Sequence, residues 1–133
     1  MRSMSLLLLA ATFTGCSTAP EYRSARAEAN LQRELAGKVA LKAIDCLPSF
    51  NSGNMVVIDD STILFKQGRN KVYSNDVSGG SCAGLGSGHY ALVTQQHGRL
   101  CRGDFAKVMD VSNGTTIGSC VIGEFIPYVS AAR

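Results

Sequence analysis

The sequence predicts an all-β domain, a small antiparallel barrel or sandwich of about six strands, preceded by a signal peptide and a partly helical tether. Short runs rich in Val, Ile, Tyr and Thr recur from residue 55 onward, and turn-forming residues separate nearly all of them. No helix-length periodic segment lies between these runs, which argues against a βαβ architecture.

The predicted strands follow the β-prone runs in chain order. They are residues 55–58, 62–65, 71–74, 90–94, 106–111 and 119–122. The segments between them are rich in Gly, Asn, Asp and Ser, as in Asp59-Asp60-Ser61, and Asn113-Gly114 is the clearest hairpin signal. Strands joined by such short turns predict antiparallel pairing.

The length and the charge of the chain limit which classes of function it can have. The chain has 133 residues, 45% of them hydrophobic, and a formal net charge of +3, which leaves room for one small domain. A TIM barrel, a two-domain dehydrogenase and a kinase are all too large for it. The 13 basic and 10 acidic residues are interspersed along the chain, so the sequence predicts neither a nucleic-acid partner nor a dominant polyanion partner.

The amino terminus, residues 1–15, has the pattern of an export signal. Arg2 supplies a positive charge, residues 6–11 are apolar, and Gly15 and Cys16 follow at the distance of a cleavage site. The apolar stretch is much shorter than the roughly 20 residues of a transmembrane helix, so we expect the segment to be removed.

A cysteine directly after a small residue resembles the lipobox of bacterial lipoproteins, in which that cysteine is lipidated and becomes the first mature residue. Gly15 and Cys16 fit the pattern, whereas Phe13 stands where the pattern usually has Leu. The resemblance implies a firm membrane anchor at Cys16, since each buried CH₂ of an acyl chain contributes about 0.8 kcal/mol. Ser17 after the cysteine implies an outer-membrane lipoprotein that faces the periplasm. An ordinary signal peptide followed by an odd cysteine is the alternative.

Residues 16–44 are interpreted as the lipidated cysteine and a tether. The Ala-, Glu- and Arg-rich run from Ser24 to Leu35 predicts a short helix. Leu31, Leu35 and Val39 recur at helical spacing and form one narrow apolar stripe. Three large side chains bury little area, so the sequence favours a spacer with partial helix over a helix held against the domain or a neighbour.

Residues 45–130 form the predicted β domain and contain the cysteines Cys46, Cys82, Cys101 and Cys120. An even number of cysteines in an exported chain predicts disulfides, which stabilise a domain with a small core. Three pairings are open. We expect Cys82 to pair with Cys101, because that bond closes a local hairpin-like loop. The remaining pair, Cys46 with Cys120, then joins the first segment to the last strand. Neither the close cysteine pairs of a structural zinc site nor a redox Cys-x-x-Cys occurs, so no metal or cofactor is predicted.

An ordered set of short segments surrounds these cysteines. It consists of Cys46-Leu47-Pro48, residues 57–65, Val72-Tyr73, Ser81-Cys82-Ala83-Gly84-Leu85, Leu100-Cys101-Arg102-Gly103-Asp104 and residues 119–125. The set resembles a bacterial family of small exported proteins, domain-of-unknown-function family 6491, over residues 45–127. Ala83 departs from the Pro expected there in that family. The resemblance implies an envelope location and disulfides, and it supplies no catalytic residue.

The acidic residues are predicted to act in turns. Asp59 and Asp60 are adjacent, so in an extended chain they point to opposite faces and do not form an acid and base pair. Asp-Asp-Ser between two apolar runs is typical of a capped turn. Asp104 is expected to close the turn before the strand that starts near Phe105.

The glycine-rich segment and the histidines carry weak functional signals. Residues 84–88 (Gly-Leu-Gly-Ser-Gly) are interpreted as a flexible loop, since no helix follows that could receive a phosphate. His89 and His97 are expected on loops or strand edges, without a nucleophile beside them.

Two function classes remain. The favoured one is a non-enzymatic, membrane-anchored envelope lipoprotein, monomeric, that binds an envelope protein, a glycan or a small ligand at a loop or sheet edge. The alternative is a small hydrolase or metal-dependent enzyme that uses Asp59, His89 and Asp104. That alternative requires the three side chains to converge in one concave pocket.

Overall fold

Two antiparallel sheets pack face to face in the computed structural model, which describes residues 23–50, 54–78, 82–94 and 98–132. The elements in chain order are α1 (Ala25–Leu35), β1 (Lys38–Ala40), β2 (Met55–Val57), β3 (Thr62–Gln67), β4 (Lys71–Asp76), a 3₁₀-helix (Leu85–Ser87), β5 (Tyr90–Thr94), β6 (Phe105–Asp110), β7 (Thr116–Val121) and β8 (Phe125–Ser130). The sheets do not close into a barrel, so the predicted all-β class is confirmed in its sandwich form.

The larger sheet has the strand order β1-β8-β4-β3-β2. Successive side chains of a strand point to opposite faces, so Phe65 and Tyr73 lie on the inner face while Leu64 and Val72 lie on the outer face. All four are at most 4% exposed. Both faces of β3 and β4 are therefore covered, which explains why apolar residues stand next to each other in these strands instead of alternating with polar ones.

The smaller sheet, of order β5-β6-β7, covers the inner face of the larger one. Its inward residues Leu92, Ala106 and Val108 join the main core. Loop residues complete this core, and they are Leu47, Leu85, Leu100 and Ile122. The core therefore draws on loops as well as on strands.

Helix α1 packs on the outer face of the larger sheet. Ser24 caps it by accepting a hydrogen bond from the Ala27 amide at 3.2 Å. Ala27 is buried, and Leu31 and Leu35 pack with it against the sheet. The segment predicted as a spacer is thus part of the folded unit from residue 25 to residue 40. The outer face of the sheet provides an apolar surface that the helix sequence alone does not reveal. Val39, the third residue of the predicted apolar stripe, lies in β1 instead of the helix and is 48% exposed.

Strands β2 to β7 coincide with predicted strands, whereas β1 and β8 are new. Strand β8 lies between β1 and β4 although it contains Pro127, a residue normally found on sheet edges. The carbonyl of Pro127 accepts from the Leu41 amide at 2.8 Å, so its missing N–H faces the end of the short strand β1. The sheet therefore loses only one peripheral hydrogen bond.

The two disulfides join Cys46 to Cys101 and Cys82 to Cys120. The predicted pairing is wrong. Cys46 and Cys101 face each other in an antiparallel bridge with Cα atoms 4.0 Å apart. Backbone hydrogen bonds on both sides extend this bridge, from Leu47 to Leu100 and from Arg102 to Asp45. This pairing brings together segments far apart in the sequence, and local spacing gives no sign of it.

In the part of the chain that the structure describes, no helix has the length and apolar character needed to cross a membrane. The predicted signal peptide, Cys16 and His97 lie outside the described residues.

Candidate functional site

A polar cleft opens between the first half of α1, the β2–β3 turn and the glycine-rich loop of residues 84–88, and we call it the helix–loop cleft. Its volume is about 930 Å³. The side chains that line it include Arg23, Ser24, Arg26, Ala27, Asn30, Ile58, Asp59, Asp60, Ser61 and Ser87. The lining is rich in charged and hydroxyl groups.

Asp60 fixes the glycine-rich loop that forms one wall. Its carboxylate accepts hydrogen bonds from the amides of Gly84 at 3.0 Å and Gly86 at 2.7 Å, and its carbonyl accepts from the Cys82 amide at 2.6 Å. A Cβ at Gly86 would lie 3.1 Å from the Asp60 carboxylate, so the close approach favours glycine. Leu85 is buried in the core. The loop expected to be flexible is therefore an ordered 3₁₀ turn with two hydrogen bonds to Asp60, and a third bond holds Cys82 just before it.

Asp59 caps the β2–β3 turn, which confirms the predicted turn role. Its Oδ1 accepts from the amides of Ser61 at 2.8 Å and Thr62 at 2.7 Å. Its Oδ2 accepts from Nε of Arg23 at 2.7 Å. Both carboxylate oxygens are thus engaged within the chain.

Arg23 connects the start of the helix to the sheet. Besides Asp59, it contacts Glu28 at 3.5 Å, Asp76 at 4.0 Å and the hydroxyl of Thr62. Burial disfavours the charged guanidinium, but the hydrogen bond to Asp59 and the attraction of Asp59 and Asp76 outweigh it and raise the pKa of Arg23. Arg23 therefore stays charged and acts as a structural cation.

Arg26 and Asn30 line the same cleft one and two turns along the helix. Arg26 is exposed and makes no ion pair within the part of the chain that the structure describes. Asn30 uses its Oδ1 to accept from Arg33 at 3.0 Å. The cleft thus presents hydrogen-bond donors beside carboxylates that are already occupied.

Two of the three residues of the enzyme alternative, His89 and Asp104, lie near opposite ends of β6. Asp59 is bound by Arg23 at the cleft, whereas Asp104 accepts from the Cys101 amide at 2.7 Å and closes the turn before β6, as predicted. His89 is exposed, and its carbonyl accepts from the Val111 amide just beyond the other end of β6. The length of β6 separates His89 from Asp104 by on the order of 20 Å.

No three His, Cys, Asp or Glu side chains among the described residues lie close enough to share a metal ion. The four cysteines that could have supplied ligands form the two disulfides.

Sequence reasoning missed Arg23, Arg26 and Asn30. The one available signal is Ser24 before a helix-forming run, which marks a helix start, so that Arg23 directly precedes the cap while Arg26 and Asn30 fall in the first two turns. Nothing local indicates that this helix start lies against the β2–β3 turn. The cleft is a product of the tertiary fold.

A model of the family of unknown function DUF6491 matches residues 1–132 of the chain. The resemblance inferred from the segments around the cysteines is confirmed, and the match extends to the residues before the β domain. No curated protein and no solved structure matches the chain significantly.

Proposed function

We propose that this chain, which belongs to the DUF6491 family, is a lipid-anchored protein of the bacterial cell envelope that binds a ligand in the helix–loop cleft and catalyses no reaction. The apolar run ending in Gly15 and Cys16 supports the export and lipidation steps. The two disulfides support an oxidising compartment, since such bonds persist outside the reducing cytosol.

The observation that favours ligand binding over catalysis is that the cleft carboxylates already have hydrogen-bond partners within the chain. Backbone amides and Arg23 occupy Asp59, and the amides of Gly84 and Gly86 occupy Asp60. A general base or a metal ligand needs a carboxylate oxygen directed at its substrate or ion. Here these oxygens instead hold the walls of the cleft together.

The groups left to meet a ligand are mainly donors. They are the guanidinium of Arg26, the amide of Asn30 and the hydroxyls of Ser24 and Ser61. Such a surface suits a ligand rich in oxygen acceptors, such as a glycan or an extended peptide with carbonyl and carboxylate groups.

The position of the cleft relative to the proposed anchor is limited by chain length. Cys16 and Arg23 are seven residues apart (23 − 16 = 7). A chain of that length spans at most about 25 Å. With Cys16 anchored as proposed, the edge of the cleft at Arg23 lies within about 25 Å of the membrane surface.

Intact mass measurement of protein purified from its native envelope tests the anchor. The expected mature chain begins at an acylated Cys16 and has no free thiol, whereas a Cys16→Ser variant keeps its leader and lacks the acyl mass. An unacylated wild-type chain would refute the anchor.

Site-specific photocrosslinking in cell envelopes tests the cleft. A photoreactive residue at Asn30, inside the cleft, is compared with one at Gln32, which is exposed outside the cleft lining. Adducts at position 30 that are absent at position 32 support ligand binding there. Equal labelling at both positions, or none, would refute the cleft as the binding site.

A further inference from the structure

One end of the molecule is strongly basic. It comprises the last turn of α1, the start of β1 and the β3–β4 hairpin, and we call it the basic end. Among the described residues its cations are Arg33, Lys38, Lys66, Arg69 and Lys71, and its one carboxylate is Glu34. Five positive charges and one negative charge leave a net charge of +4 (5 − 1 = 4), more than the +3 of the whole chain.

The fold, not the sequence, assembles this cluster. Lys38 reaches the helix, where its Nζ donates to the carbonyl of Glu34 at 3.0 Å. Lys66 pairs with the Glu34 carboxylate at 2.7 Å. The Nζ of Lys71 lies 5.9 Å from the centre of the Tyr73 ring. Lys71 is two strands away from Lys38 in the larger sheet, which places the two residues about 10 Å apart. Among the described residues Lys66 is the one cation of this cluster with a carboxylate partner, and the other four cations have no ion pair.

The opposite end of the larger sheet is acidic. It carries the carboxylates of Asp45, Asp59, Asp60, Asp76 and Glu124. Arg23 and Arg102 neutralise part of this charge through ion pairs with Asp59 and Asp45. Charges that alternate along the chain are thus separated in space, because antiparallel strands bring alternate turns to the same end of a sheet. The sequence-based expectation of no dominant polyanion partner did not take this separation into account.

We propose that the basic end docks onto a carboxylate-bearing glycan–peptide polymer of the cell wall. Spaced cations on an exposed hairpin match a polymer with repeated single negative charges. The hairpin turn of residues 67–71 has no large apolar side chain that could insert into a bilayer, so a lipid surface would have to hold this turn by charge alone.

The orientation of α1 supports the polymer over the protein's own membrane. The helix has 11 residues and runs from Arg23, at the acidic end, to the basic end. At 1.5 Å per residue it separates the two ends by about 16 Å. This step rests on the proposed anchor, whose chain joins the described domain at Arg23, so the basic end is the end farther from the point of attachment.

Cosedimentation of the full-length protein, purified in nonionic detergent, with insoluble peptidoglycan sacculi tests the proposal. Binding is expected at about 50 mM salt and is expected to weaken strongly at about 300 mM salt. The double variant Arg69→Gln, Lys71→Gln is expected to lower the affinity about tenfold, since two charged contacts are lost. The matched control Arg99→Gln, Lys107→Gln removes the same charge from residues outside the basic end and is expected to bind within about twofold of wild type.

Three results would overturn the proposal. The first is equal sedimentation of both double variants with the sacculi. The second is release of the protein from sacculi by detergent micelles that contain an anionic phospholipid, which would assign the basic end to lipid headgroups. An acylated protein that does not sediment would overturn this proposal and leave the anchor intact. Sedimentation that depends on Arg69 and Lys71 supports polymer binding whether or not Cys16 is acylated. Neither residue belongs to the segment that directs lipidation.

Discussion

Arg23 donates through Nε to Oδ2 of Asp59 at 2.7 Å, which joins the residue before the helix cap to the turn between β2 and β3. The two side chains are 27% and 24% exposed, so the pair is largely shielded from solvent. It holds the start of α1 against the sheet and forms one boundary of the helix–loop cleft.

Replacing Arg23 with Met should therefore loosen the helix. We expect a loss of about 2 kcal/mol in the free energy of unfolding, because hydrogen bonds to charged groups contribute about 1.5–3 kcal/mol. Urea unfolding with the disulfides intact measures the change. Arg26→Met is the matched control, since Arg26 is exposed on the same helix, and we expect it to change stability by less than about 0.5 kcal/mol. Equal losses in both variants would contradict the role of the Arg23 pair.

Asp60→Ala should release the glycine-rich loop. The amides of Gly84 and Gly86 lose their acceptor, so their hydrogen exchange should become much faster, and stability should fall by about 2 kcal/mol. Hydrogen exchange with mass spectrometry resolves the loop. Asp45→Ala removes a carboxylate that is 69% exposed and should leave exchange at the loop unchanged. Unaltered exchange at the loop in Asp60→Ala would show that Asp60 does not hold it.

Gly123→Ala should be strongly destabilising. Asn75, which is fully buried, donates to the Gly123 carbonyl at 2.8 Å and accepts from its amide at 3.1 Å. A Cβ at Gly123 would overlap the backbone carbonyl of Asp76, so we expect a loss of about 3 kcal/mol. Gly118→Ala is the control, because its Cβ would have no neighbour within 4 Å. Thermal unfolding should show Gly118→Ala at or slightly above wild-type stability. A neutral Gly123→Ala would contradict the close backbone approach.

The disulfide connectivity gives a peptide map that distinguishes the two pairings. Non-reducing tryptic digestion should yield residues 43–66 linked to residues 100–102, and residues 72–99 linked to residues 108–133. Links between residues 72–99 and 100–102 would instead support the pairing expected from the sequence.

Removing the Cys82–Cys120 bond by substituting both residues with Ala should lower the free energy of unfolding by about 4 kcal/mol in the chain-entropy model.

Ser112→Ala should raise the pKa of Asp110. The Ser112 hydroxyl and amide both donate to Asp110 Oδ1, at 2.5 and 2.8 Å, and they hold the pKa of that carboxyl below its ordinary value. A lowered folded-state pKa stabilises the fold above the unfolded pKa, and this contribution is lost as the pH falls through the folded pKa, below about 4. Carbon-13 NMR titration of the carboxyl measures the shift. Ser119→Ala, on exposed β7, should not move it, and an unchanged pKa in Ser112→Ala would exclude the hydroxyl as its cause.

Features set by neighbouring residues were predictable. The turn at Asp59, the turn closed by Asp104 and the strands β2 to β7 all follow from local turn chemistry and β-prone runs. Strand β8 was missed because Pro127 interrupts its pattern, and its central position depends on where its missing N–H points in the finished sheet.

The helix–loop cleft required contacts between distant segments. Its walls meet through the pairing of Arg23 with Asp59 and through the bonds from Asp60 to Gly84 and Gly86. The helix run itself was predictable, but its burial depends on the apolar outer face formed by Leu64 and Val72. A narrow apolar stripe buries enough area to keep its helix ordered only when it packs against such a face.

The sequence by itself determined the fold class, most of the strands, the capped turns and the presence of four disulfide-forming cysteines, because these depend on residue types within a few positions of one another. The tertiary structure alone decided which cysteines pair, where α1 packs and how charge separates between the two ends of the larger sheet. The reason is that sheet order and register bring together side chains from separate segments, and one sequence pattern is compatible with many such arrangements.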